Sequence, residues 1–90
     1  MINRTGQATV LTPGTPVAVG TEVINCPMII EAFPTNSGYI YVGQSTVNSA
    51  RGFILAAGTM VGIYDVGDSR TIYIDADYGN EGVSWIVGEF

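Results

Sequence analysis

Apolar residues recur along this chain largely at every second position, in short runs cut by Gly, Pro, Asn and Asp. A period of two places alternate side chains on opposite faces of an extended strand. Tyr39 to Gly43 sets Ile40 and Val42 on one side and Tyr39 and Tyr41 on the other. Both sides are apolar or aromatic, which predicts a strand covered on both faces. Met60 to Val66 sets Met60, Gly62 and Tyr64 against Val61, Ile63 and Asp65. Thr71 to Ala76 places Ile72 and Ile74 inward and Thr71, Tyr73 and Asp75 outward, and Val83 to Glu89 aligns Val83, Trp85 and Val87. Shorter strands are expected at Gln7–Thr12, Pro16–Val19 and Phe53–Leu55, with Glu22–Asn25 either extending the second or standing alone. Pro16 confines its strand to a sheet edge or a strand start, because proline cannot donate to a ladder.

The stretch Pro27 to Thr46 organises the rest. Met28 to Phe33 and Tyr39 to Gly43 flank Pro34-Thr35-Asn36-Ser37-Gly38, residues that tolerate a tight reversal, so the two strands meet at a hairpin or a corner. Gln44 to Gly52 reads as a polar loop, Gly67-Asp68-Ser69 as a turn and Tyr78 to Gly82 as the last turn. Residues 1–6 read as a loose N-terminal arm. Seven or eight strands at roughly 8–12-residue spacing predict a single all-β domain over residues 1–90, an antiparallel sandwich of jelly-roll type, with an immunoglobulin-like sandwich as the alternative. No helical stripe competes with this reading.

Composition narrows the function classes. Charged residues are 12% of the chain, the formal net charge is −5, and Arg4, Arg51 and Arg70 are the only cations. Scattered arginines among eight acids cannot neutralise a run of phosphates, so nucleic acid and anionic membrane surfaces are not expected partners. No run approaches the roughly 20 apolar residues of a membrane span, and no signal peptide is read at the N-terminus. The chain starts at Met1 and is read as a whole product made in a cytoplasm. A surface poor in charge suits packing against other protein. The tyrosines 39, 41, 64, 73 and 78, where they face outward, are candidates for a contact face, although strands favour aromatics in any case.

Catalytic chemistry is largely ruled out by missing residue types. There is no histidine, hence no Ser-His-Asp or Cys-His arrangement, and no lysine for a Schiff base or a phosphate loop. Carboxylate pairs drawn from Asp65, Asp68, Asp75, Asp77 and Glu81 lack a cleft of the kind glycoside hydrolysis needs. Cys26, the only cysteine, cannot form an intrachain disulfide and reads as an inert, buried thiol. The expectation is therefore no enzyme and no cofactor. One constellation is a metal candidate: Asp75, Asp77 and Glu81 gather hard oxygen ligands around Gly79 and Gly82, as calcium requires. The spacing departs from the EF-hand, and the competing reading is a solvated hairpin turn.

The order of short motifs resembles a group of small tailed-bacteriophage virion proteins. The matching elements are Met28–Ala32 (MIIEA), Asn36-Ser37-Gly38, and Tyr41-Val42-Gly43 followed by Ser45-Thr46-Val47. Then come Gly52 to Gly58, Ile72 to Ala76, and Gly79 to Trp85; Ala57 departs from the proline expected before Gly58. The resemblance implies a β-sandwich structural protein of the virion, made in the host bacterial cytoplasm. Its role would be capsid decoration (cement) on the major capsid protein, as a homo-oligomer such as a trimer. The alternatives are a tail, head-tail junction or fibre-attachment position, or a stand-alone glycan- or calcium-binding module.

Overall fold

Eight strands build two sheets of four. The computed structural model describes residues 2–88, with the side chains of Ile2, Asn3 and Asp65 outside the description; Met1, Glu89 and Phe90 also lie outside it. The strands are β1 (Ile2–Val10), β2 (Val17–Ala18), β3 (Val23–Ala32), β4 (Ile40–Gly43), β5 (Phe53–Leu55), β6 (Met60–Asp68), β7 (Tyr73–Ala76) and β8 (Glu81–Gly88), with a 3₁₀ turn at Ser69–Thr71. One sheet has the order β1-β8-β3-β6 and the other β2-β7-β4-β5, and every pairing is antiparallel. Only β4 and β5 are neighbours both in sequence and in a sheet. The remaining connections carry the chain from one sheet to the other. This is the double Greek-key order of a jelly roll; the immunoglobulin-like alternative, a four-plus-three division with another order, does not describe it.

Several sequence expectations change. The expected loose arm does not form among residues 2–6: they belong to β1, which pairs with β8 from Ile2↔Gly88 to Val10↔Glu81. Glu22–Asn25 and Met28–Phe33 are not separate strands, since β3 runs through both. Pro34–Gly38 is a corner and not a hairpin: β3 and β4 lie in different sheets. Gly67 and Asp68 continue β6 and do not turn the chain. The edge position of β2 agrees with Pro16 just before it.

The core fills the space between the sheets. Met28 and Ile30 on β3, Val83 and Val87 on β8, Ile40 on β4 and Ile74 on β7 are fully buried there. Each is the inward member of an alternating pair, and burial of such side chains is worth about 1.5–3 kcal/mol apiece. Trp85 spans the layers: its indole Nε1–H donates to the Val19 carbonyl at 2.8 Å. Gly6, opposite Trp85 in the ladder, makes room for that ring, which a Cβ there would strike.

β3 and β6 carry two bulges that cancel. Between Met28↔Ile63 and Cys26↔Val66, β6 advances by one residue more than β3; between Cys26↔Val66 and Val23↔Asp68, β3 regains it. Asn25 sits in the second irregularity with φ 48°, a left-handed conformation that asparagine tolerates better than most residues. The slip of β6 lets Val61 and Ile63, and then Val66, all turn toward the core, where strict alternation would send Val66 outward.

Candidate functional site

The acidic turn is the first candidate, and its side chains serve the fold. The Asp77 carboxylate accepts the Tyr39 N–H at 2.9 Å and the Tyr41 hydroxyl at 2.7 Å. Glu81 accepts the N–H groups of Ser37 and Gly38. Asn36 donates from its side-chain amide to the Gly82 carbonyl at 2.9 Å and accepts the Gly82 N–H at 3.3 Å. Together these bonds clasp the β3–β4 corner to the β7–β8 turn. Asp75 points elsewhere. Expected outward and solvated, it is 4% exposed, and it accepts the Gly14 N–H of the β1–β2 loop at 2.9 Å and its neighbour Ala76 N–H at 2.9 Å. Asp77 and Glu81 thus spend their oxygens on the β3–β4 corner and the start of β4, and Asp75 on the β1–β2 loop. Among the described residues no group of three His, Cys, Asp or Glu side chains converges to hold a metal ion. The β7–β8 turn is also no hairpin, since it links the two sheets.

Tyr41 is the most perturbed group of this clasp. Its donation to Asp77, reinforced by burial and by the adjacent negative charge, pushes the phenol up to about 12. The outer face of its sheet is roofed by the chain itself, as expected for β4. Val47, 1% exposed, anchors the Gln44–Gly52 loop, and Gly52 lies so close that a Cβ there would meet Tyr41 Cβ. Near the far end of β6, Arg70 grips Asp68 through its Nε and Nη2, which lowers the Asp68 carboxyl from its ordinary value. Arg4 pairs with Glu22. Arg51 remains, exposed on the Gln44–Gly52 loop.

The tyrosines do not gather into one face. Tyr64 is exposed on β6, Tyr39 and Tyr78 flank a hollow of about 490 Å³ beside the acidic turn, Tyr73 is half-buried, and Tyr41 is covered. Cys26, expected buried, is half-buried in β3 and packs against the core.

The larger feature is the outer face of the β1-β8-β3-β6 sheet, which has no roof. Its centre is a shallow hollow of about 520 Å³ between Thr5, Gln7, Ile29, Met60, Ser84 and Ile86, and the one charge that lines it is Glu31. Met60, Tyr64, Phe53 and Ile54, each more than half exposed, continue the apolar surface around the β6 and β5 edges. Sequence reading found the outward tyrosine in this set but not Phe53, Ile54 or Met60. The signal was the absence of Lys and Arg from β3, β6 and β8, three of the four strands that build the face. Among the described residues no helix is long and apolar enough to cross a membrane.

Comparison with protein-family models, curated proteins and solved structures gives no match to this chain.

Proposed function

We propose that this protein is a non-enzymatic structural subunit of a larger protein assembly, and that the assembly is a bacteriophage particle in which it decorates the capsid shell. One observation carries the reading: the unroofed sheet face, flat, nearly uncharged and bordered by exposed Met60 and Tyr64. Such a face gains little from solvation and much from cover, and depletion of charge with enrichment of Tyr, Phe and Met marks the centres of protein contacts. The jelly roll is a fold shared by viral capsid domains, and the motif order from Asn36 to Trp85 resembles small virion proteins; both support the choice of assembly. A rigid brick of this kind adds many modest contacts over symmetry-related copies.

The test is co-sedimentation of the purified chain with empty phage shells. The expected result is saturation at a ratio on the order of one chain per capsid subunit, as a shared lattice symmetry requires. Ser84→Arg, which places a charge at the centre of the face, should abolish pelleting while leaving the far-ultraviolet circular dichroism unchanged. Saturation at about six or twelve copies, the counts of a ring at one vertex, would move the protein to the tail or head-tail junction. Binding to a glycan array without affinity for shells would overturn the proposal.

A further inference from the structure

The free edge of β6 is built to pair with itself. Four strands form the sheet edges: β1, β6, β2 and β5. β2 has two residues and β5 three. β1 turns polar Thr5, Gln7 and Thr9 outward and carries Arg4 near its start. β6 alone combines length with apolar character on both faces. Met60 and Tyr64 are exposed outside, while Val61 and Ile63 line, with Val42, Phe53 and Ile72, an apolar opening of about 340 Å³ between the sheets. A long apolar edge without Lys or Pro is a template for another strand.

The backbone fixes which groups that strand would meet. Ala32 N–H donates to the Thr59 carbonyl at 3.0 Å, and hydrogen-bonded pairs alternate along an antiparallel ladder. Val61 and Ile63, opposite Ile30 and Met28, therefore bond inward to β3. The N–H and C=O groups of Met60 and Gly62, and the N–H of Tyr64, point to the free side. The segment Met60-Val61-Gly62-Ile63-Tyr64 is apolar in both directions about Gly62. The flat stretch is also bounded: Gly58, at φ 77°, turns the chain before it, and the β6 bulge begins after Ile63.

From these observations we infer that two copies of this chain pair through β6 about a two-fold axis at Gly62. In that register Met60 opposes the partner's Tyr64, Gly62 opposes the partner's Gly62, and Val61 opposes the partner's Ile63. The two Gly62 residues become a hydrogen-bonded pair, and the free groups of Met60 face the N–H of the partner's Tyr64. Sulfur meets an aromatic ring at both ends, a favourable contact, and the two sheets join into one of eight strands. The two openings beside Phe53 then face each other across the axis. Pairing closes at two copies, because a two-fold contact uses the same patch on both. The other three edges, short or polar, give no second site for growth. This dimer shares Met60 and Tyr64 with the border of the proposed shell-binding face, but it is measurable without shells, and its failure would leave the shell test standing.

Gly62 provides a clean test. A Cβ there meets no atom within 4 Å in the single chain, so a side chain is accommodated without disturbing the protomer. Sedimentation equilibrium of the full chain should show a monomer–dimer equilibrium. Gly62→Asp sets two carboxylates directly opposite at the axis and should raise the dissociation constant at least tenfold, by the order of like-charge juxtaposition across an interface. Its thermal unfolding, measured on the monomer, should match that of the parent. The register has its own readout, in a Cys26→Ser background. Gly62→Cys should oxidise to a covalent dimer, since hydrogen-bonded antiparallel partners lie about 5.5 Å apart, within disulfide reach. Met60→Cys should not, since its like partner is four residues out of register. A monomer at every concentration, a trimer, or a dimer indifferent to Gly62→Asp would overturn the inference, as would equal cross-linking at both positions.

Discussion

A phenol held by a carboxylate makes a stability switch at alkaline pH. Tyr41 donates to Asp77, and the bond exists only while the hydroxyl keeps its proton. Its folded value, about 12, lies above the ordinary tyrosine value near 10. The stabilisation is therefore complete below pH 10 and is lost as pH rises from about 10 toward 12. Tyr41→Phe should cost about 0.5–1.5 kcal/mol at neutral pH, the net worth of one hydrogen bond. It should also remove the last phase of tyrosinate absorbance in a titration at 295 nm. If that phase survives in the variant, another tyrosine carries it. Asp75 acts at the same scale: its carboxylate ties the Gly14 loop to β7. Asp75→Ala leaves that N–H unsatisfied and should cost about 1–3 kcal/mol by urea unfolding, while Asp75→Asn, which keeps an acceptor, should cost less. Neither role was legible from sequence. Asp75 occupies an outward position by alternation, and only the fold over of the β1–β2 loop buries it.

Strands in this protein differ in how tightly they are held, and their glycines mark the difference. At Gly82 on β8 a Cβ would run into the Ala8 carbonyl of β1, whereas at Gly62 on β6 it would meet nothing. Gly82→Ala should therefore push β1 off β8 and lower stability by about 1–3 kcal/mol, as overpacking does. Gly62→Ala should leave the protomer unchanged or slightly more stable, since glycine weakens a strand interior. Thermal unfolding of the two variants side by side checks the contrast; equal effects would mean that β6 is packed on its free side. The opposed bulges of β3 and β6 explain another limit of sequence reading. Period-two alternation holds within each half of β6 and slips between them, because an extra residue is absorbed by one strand and repaid by the other. No local residue pattern specifies a bulge whose compensation lies about forty positions away, in a strand the chain has already laid down.

At the scale of the whole molecule, sequence neighbours are seldom spatial partners. Thr9 opposes Gly82 and Val17 opposes Ile74, so large loops must close before most ladders form. Folding should accordingly fall in the millisecond-to-second range typical of sandwiches. Stopped-flow fluorescence of Trp85, the only tryptophan and a bridge between the sheets, measures it directly. Microsecond folding would show that local contacts dominate after all. The two outer faces also differ: one sheet is roofed by the Gln44–Gly52 loop and the Gly14 loop, the other is bare. That asymmetry leaves the molecule with one covered face and one open face.

The residue pattern alone determined that the chain is a β-sandwich, where most strands lie, and that β4 is covered on both faces, because pleat alternation and turn-forming residues act over a few positions. It could not assign strands to sheets, place β1 from its first residues, separate the acidic turn into an internal clasp, or expose β6 as a free edge. Those outcomes depend on which distant segments meet, and only closure of the whole fold decides where a carboxylate finds its donor and where a ladder is left open.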